Sequence, residues 1–217
     1  MQNLRCTIAI ETKELDPKRI SHYRDYLEFL EKFVHQSAHV AEQDFPRCPL
    51  QPLKDDLDFG VYETFELDKA KYSLYQKAIE AALNDMISED DKSSKKLTLM
   101  ILGAGRGPLV RSACNASKNT NRKIKIIIVE KNRSAVNTLR AIVNELWWDQ
   151  EIEIMARDMR SVKLNDDEKA DILVSELLGS FGDNELSPEC LDVAQHLLKG
   201  DGISIPSKSI SYLRPVM

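Results

Sequence analysis

The 217 residues hold only four cysteines and four histidines, and neither set is clustered. Cys6, Cys48, Cys114 and Cys190 lie far apart, without a Cys-x-x-Cys pair or a Cys/His group at metal-ligand spacing, which excludes a zinc module and a disulfide-stapled scaffold. Reduced, buried thiols in an intracellular compartment are expected instead. A basic surplus is also missing: 30 Lys and Arg against 35 Asp and Glu leave a net charge of −5, which argues against the broad basic face of a dedicated DNA or RNA binder. That balance leans toward cationic partners. No apolar run approaches the roughly 20 residues of a membrane span, the longest being Leu97 to Gly105, and the N-terminus lacks the apolar segment of a signal peptide. Eight glycines, eight prolines and no internal repeat rule out a collagen-like or low-complexity chain. What remains, at 42% hydrophobic and 30% charged, is a globular composition with enough chain for one main domain and a flank.

Residues 4–10, LRCTIAI, read as a buried strand, and Ile20, Tyr23, Tyr26, Leu27, Leu30 and Val34 recur at helical spacing over 17–35. A linker with Pro46, Pro49 and Pro52 and the acidic patch Asp55, Asp56 and Asp58 then place a boundary near residue 60. A second helical pattern runs from about Asp68 through Tyr72, Tyr75, Ile79, Leu83 and Met86, and the polar run Ser88 to Lys96 reads as a loop. From Leu97 the rhythm changes to short apolar strands alternating with amphipathic helices. Strands are expected at 97–102, 124–129, 151–156 and 171–175, with a fifth, ISI, after the Gly200-Asp201-Gly202 turn. Helices are expected near 108–117, 134–145 and 188–198. This alternation predicts an α/β fold with a parallel sheet and helices on both faces.

In such sheets ligands bind outside the carboxyl ends of the strands. After the first strand, Gly103-Ala104-Gly105-Arg106-Gly107 lets backbone amides approach a ligand, or else makes a tight strand-to-helix turn with no ligand at all. The dinucleotide fingerprint would need Gly or Ala where Pro108 stands, so a nicotinamide dehydrogenase is disfavoured. Glu130 follows the second strand, where a carboxylate can accept both ribose hydroxyls or simply face solvent. Asp158 and Met159 follow the third, where a carboxylate can receive an adenine amino group and a thioether can cover the ring; the competing reading is a turn-capping Asp. Glu176 ends the fourth strand, and Glu185 comes nine residues later across a glycine-containing loop. Surface charge is one reading; a carboxylate directly after a buried strand is costly unless paired, which favours a cationic ligand, and guanidinium is the cation whose fork matches two carboxylates. His22, His35, His39 and His196 have no nucleophile at a recognisable elbow.

GAGRGPLV, VEKN, the triplet Asp158-Met159-Arg160 and SELLGSFGDNELSPE together resemble the type II, symmetric-dimethylating protein arginine methyltransferase family. The likeness covers roughly residues 50–206, including PLQPL and YETFELDKAKYSLY, and the loop with two glutamates is its most specific part. Type I relatives carry an aromatic residue and a Met after the first glutamate, where this chain has Leu177-Leu178. The resemblance implies S-adenosyl-L-methionine as cofactor, contacted by Tyr62, Lys71, Glu130, Asp158 and Met159, with Gly103 and Gly105 shaping its loop, and no metal. It implies Glu176 and Glu185 as the catalytic pair that holds the substrate arginine. It also implies that Phe65, where type I members have Met, sets the symmetric product; by spacing alone Phe65 reads as a core aromatic in register with Tyr62.

The implied fold is a class I, Rossmann-like methyltransferase sheet. Residues 1–45 are expected to be the last strand and helix of an N-terminal TIM barrel, 46–60 a linker, 61–206 the cofactor-binding domain and 207–217 the start of a C-terminal β-barrel that the chain lacks. The resemblance further implies arginine-containing protein substrates (Gly/Arg-rich tails, histones, spliceosomal proteins) and a WD-repeat partner bound through the N-terminal barrel. It implies a homo-oligomer at full length and a cytoplasmic and nuclear location, with no direct nucleic-acid or membrane contact. The alternatives are an inactive fragment or scaffold that retains only cofactor binding, and a type I enzyme giving the asymmetric product.

Overall fold

The computed structural model describes residues 21–29, 50–147, 149–179 and 185–215. The chain divides into two units, 1–48 and 49–217. In the first, residues 21–29 are helical, inside the helix that periodicity predicts over 17–35, and the strand expected at 4–10 lies outside the described residues.

The second unit opens with two helices, α1 (Phe59–Glu66) and α2 (Lys69–Met86), each started by an aspartate. Asp58 accepts from the Val61 N–H at 3.1 Å and Asp68 from the Lys71 N–H at 3.0 Å, satisfying amides that have no partner inside the helix. The alternating region comes next: β1 (Lys96–Leu102), α3 (Pro108–Thr120), β2 (Lys123–Glu130), α4 (Arg133–Leu146), β3 (Glu151–Ala156), β4 (Ala170–Ser175), α5 (Ser187–Ala194) and β5 (Leu198–Ile205). Pro108 sits at the start of α3, where its missing N–H costs nothing, and the Asn132 side chain caps α4 by accepting from the Ser134 N–H at 3.0 Å.

All strands pair in parallel, in the order β3-β2-β1-β4-β5. Side-chain parity sorts the core into two layers. Leu97, Leu99 and Ile101 of β1, with Ile126 and Ile128 of β2 and Ile172 and Val174 of β4, pack under α2, α3 and α4. Met100 and Leu102, with Ile127, Val129 and Leu173, face the other way onto Val162, Ala194 and Leu197. Helical segments therefore cover both faces, and the central strands are near-continuous apolar runs because neither face meets water.

The helical pattern read from about Asp68 is α2, capped by Asp68, and a separate helix, α1, precedes it with Tyr62 and Phe65 at helical spacing. Two expectations are corrected. The last strand starts at Leu198, before the Gly200-Asp201-Gly202 sequence, since Leu198 already pairs with Ala170 and the register then shifts by a bulge before Ile203 meets Ile172. The helix expected at 188–198 ends as α-helix at Ala194 and tightens to a 3₁₀ turn over Gln195–Leu197. Among the described residues no helix is long and apolar enough to cross a membrane.

Ile101 is fully buried on the central strand and belongs to the layer beneath the three helices. Ile101→Ala should lower the unfolding free energy by about 2–5 kcal/mol, the range for emptying such a site. Urea denaturation of the two proteins measures it.

Candidate active site

Strand order reverses between β1 and β4: the chain leaves β1 toward β2 and β3, and returns to β4 on its other side. The loops after these two strands therefore diverge and leave a crevice at the carboxyl edge. After β1, Gly103 and Gly105 take φ of 72° and 53°. A Cβ at Gly103 would meet Leu177 Cδ2, from the loop after β4, at 2.9 Å, and one at Gly105 would meet the Tyr62 ring at 2.9 Å. The left-handed backbone and the close approach both demand glycine.

Glu130, at the end of β2, is only 6% exposed. Its Oε2 accepts from the Gly105 N–H and its Oε1 from the Asn132 N–H, each at 2.7 Å. Burial raises its carboxyl above the ordinary range, while these backbone donors pull it back. The carboxylate keeps acceptor capacity for a ligand hydroxyl. Asn132 Nδ2 donates to the Tyr62 hydroxyl at 3.1 Å and to the Leu57 carbonyl at 2.9 Å. Burial, and then the charge of Glu130, push the Tyr62 phenol up to about 12, so the hydroxyl stays protonated.

Asp158 caps the turn after it, as the competing reading has it, and also lines the crevice. Its Oδ1 accepts from the Arg160 N–H at 2.8 Å, and its Oδ2 from Arg160 Nη2 at 2.7 Å. The Arg160 guanidinium holds this carboxyl below its usual range. Met159 lies beside the glycine loop, its Cε 4.0 Å from where a Gly103 Cβ would stand.

The cation expected at Glu176 is already supplied from within the chain. Lys71 Nζ donates to Glu176 Oε2 at 3.1 Å and also lies 4.9 Å from the Tyr72 ring centroid and 5.6 Å from that of Phe65. This corrects the expectation that the carboxylate stands unpaired until a ligand arrives. The first turns of α2 cross the end of β4, pinned there by the Tyr75 hydroxyl donating to the Ser175 carbonyl at 2.7 Å. Glu185 stands close enough for the two carboxylates to interact: its carboxyl is held above the ordinary range by burial first and by the Glu176 charge second, with Lys71 opposing.

Tyr62, Phe65, Lys71, Gly103, Gly105, Glu130, Asp158, Met159, Glu176 and Glu185 all line one cleft, of about 1140 Å³ including its solvent-open mouth. Phe65 thus faces the cleft rather than a closed core. Residues not singled out from sequence also line it: Glu66, Arg106, Asn132, Cys190 and a strap over 52–57. Lys131 ties that strap down, donating to the Asp55 carbonyl at 3.3 Å and pairing with Asp56 at 3.5 Å. The proline-rich composition marks the strap as a linker and carries no sign of these ties. Cys114 and Cys190 are buried free thiols, and no metal-binding group of His, Cys, Asp or Glu occurs among the described residues.

Glu185 gives a signed pH dependence. Its raised folded value means that the fold disfavours the ionised form; the penalty is absent below the ordinary glutamate range and complete once pH exceeds the raised value. Glu185→Gln should therefore melt at a higher temperature than the parent at about pH 7.5 and at the same temperature at about pH 4. Calorimetry at the two pH values checks the difference.

The chain has recognisable relatives. The family model described as PRMT5 arginine-N-methyltransferase matches residues 34–205. "Protein arginine N-methyltransferase 5" of Oryza sativa subsp. indica is 50% identical over 202 residues, covering 91% of this chain and 31% of the relative. Its Drosophila melanogaster namesake is 48% identical over 219 residues, covering 99% and 35%. The chain thus spans about a third of the length of the curated relatives it matches. Among solved structures, the Trypanosoma brucei PRMT1 enzyme-prozyme heterotetrameric complex with AdoHcy aligns with a TM-score of 0.54 at 21% identity, over 68% of this chain and 42% of that one. Arabidopsis thaliana protein arginine methyltransferase 10 aligns with a TM-score of 0.55 at 20% identity, over 68% and 38%. These two establish a shared fold, the Rossmann-like class I methyltransferase sheet; the extent and identity of the sequence match go further, and the chain belongs to the PRMT5 arginine-N-methyltransferase family.

Proposed function

We propose that this chain carries the cofactor-binding core of an S-adenosylmethionine-dependent protein arginine methyltransferase forming monomethyl and symmetric dimethylarginine. The observation that supports it best is the meeting of Glu176 and Glu185 in the same cleft as the Gly103–Gly105 loop and Glu130. The cleft lining supports this cofactor: Gly103 and Gly105 supply the left-handed turn at the end of β1, Glu130 keeps acceptor capacity that ribose hydroxyls can use, and Asp158 and Met159, on the cleft wall, are the proposed partners of the adenine edge and face. Tyr62 and Lys71 complete the proposed contact set. When bound, the cofactor supplies a methyl carbon made electrophilic by its sulfonium sulfur.

The chain's own residues then have two tasks. Glu176 and Glu185 orient the guanidinium and draw its positive charge toward their side, leaving the opposite nitrogen richer in electrons for attack. Lys71 engages Oε2 of Glu176 and holds that carboxylate in place. Glu185, whose carboxyl already favours its protonated form more than usual, is the group suited to take the proton released once nitrogen has gained the methyl. Phe65 narrows the space beside the reacting nitrogen and so selects which nitrogen receives the second methyl. For a protein of the relatives' length we further propose Gly/Arg-rich tails, histones and spliceosomal proteins as substrates, a WD-repeat partner, assembly into oligomers, and a nuclear and cytoplasmic location.

Binding and turnover separate the roles. Glu130→Ala should weaken S-adenosylmethionine binding by about 1–3 kcal/mol in calorimetry. Glu176→Gln and Glu185→Gln should leave that affinity nearly unchanged while removing most single-turnover methylation of an arginine peptide. Cofactor binding without turnover in the parent chain would instead support the scaffold reading; preferred NAD binding would overturn the assignment.

Phe65→Met should keep activity and admit asymmetric dimethylarginine beside the symmetric product. Mass spectrometry that finds only the symmetric isomer removes Phe65 from the specificity role.

A further inference from the structure

Helix α1 carries both Tyr62 and Phe65 toward the cleft, yet none of its eight residues is buried. Alone, a helix so far below about 12–15 residues does not persist in water. Its local support is the Asp58 cap and a Thr64 hydroxyl donating to the Gly60 carbonyl at 3.0 Å. Tyr62 is held by Asn132 Nδ2 and lies against Gly105, and one side chain on the glycine loop grips the two ends of the helix. Arg106 Nε and Nη2 donate to the two Glu66 oxygens at 2.8 and 2.7 Å, a side-on fork, and the guanidinium carbon lies 3.8 Å from the Phe59 ring centroid. Phe59 and Glu66 are seven residues apart, two turns along one face, so a single guanidinium touches both ends of the helix. The remaining nitrogen, Nη1, is buried without a hydrogen-bond partner among the described residues, so the Arg106 guanidinium is held here by Glu66 and Phe59 alone on its other sides.

We propose that Arg106 is a positioning residue that clamps α1 through Phe59 and Glu66, coupling the glycine loop to the aim of Tyr62 and Phe65. Arg106 directly follows Gly105, whose N–H is held by Glu130. A ligand that settles the Glu130 and Gly105 side of the cleft thereby also steadies the helix on the other side. What α1 is aimed at rests on the methyltransferase reading; the clamp itself does not. The chemistry demands arginine, since lysine keeps the charge but offers neither a planar face for Phe59 nor two parallel donors for Glu66.

The test compares Arg106→Lys, Phe59→Leu, their double variant and Phe59→Tyr in the full chain, using amide hydrogen exchange and calorimetry with S-adenosylhomocysteine. Phe59 does not line the cleft, so an affinity change in its variants cannot come from a lost ligand contact. Both single variants should speed exchange of the amides over 62–66 about tenfold, with those of β1 and β2 unchanged. Both should weaken S-adenosylhomocysteine binding about tenfold, the double variant should be little worse than the worse single, and Phe59→Tyr should restore the parent values. Unchanged exchange over 62–66 in both singles overturns the clamp whatever the ligand does. Faster exchange with unchanged affinity overturns the coupling. If the parent chain binds no S-adenosylhomocysteine, the methyltransferase reading and the coupling both fail, and the exchange result alone decides the clamp.

Discussion

Parallel pairing of β1 with β2 on one side and β4 on the other fixes where the cleft must be. Because β1 is buried on both faces and hydrogen-bonded along both edges, the chain beyond Leu102 can only turn out over the carboxyl end of the sheet. The loop after β4 emerges beside it, so closely that a methyl group at Gly103 would collide with Leu177. Residues from the ends of β1, β2 and β4 are thereby brought together from positions tens of residues apart. The helices contribute by packing against the strands, and α2 adds Lys71 by crossing the end of β4.

Three of the carboxylates that line the cleft have unequal support. Glu130 is the most buried, and fixed backbone amides offset its desolvation. Glu176 has an ammonium partner in Lys71. For Glu185 no ammonium or guanidinium partner occurs within ion-pair distance among the described residues, and burial and a like charge both raise its carboxyl. Glu185 is thus the carboxylate whose ionised form is least supported of the three, and a cation beside it would relieve that cost.

Much of this is legible in the sequence, for local reasons. Short β-branched runs such as IKIIIV mark buried parallel strands, and the residue after each strand is a ligand-facing position whatever its identity. That rule alone singles out Gly103, Glu130 and Glu176, and reading on a residue or two adds Gly105 and Asp158. The pairings are not legible. Lys71 and Glu176 are 105 positions apart, and Arg106 and Glu66 are 40 apart. No spacing pattern links such partners, because sheet topology brings them together. The boundary before α2 is legible, since the helical pattern starts at Asp68, its cap; α1 is marked only by the helical spacing of Tyr62 and Phe65, because eight residues give too short a periodicity to read further.

The outer strands have a bearing on how the chain behaves at high concentration. An uncovered strand edge invites a neighbouring molecule to add a strand of its own. On β3 the residues Glu151 and Glu153 are exposed, each tied back by a lysine of an inner strand, Lys96 and Lys125. On the opposite side, β5 carries a bulge and the polar sequence Lys199-Gly200-Asp201-Gly202. Stacking two copies edge to edge along β3 would bring like charges together, and along β5 would require matching an irregular register. Both borders of the sheet therefore discourage the templated growth that leads to fibrils, a protection built into the same strands that support the cleft.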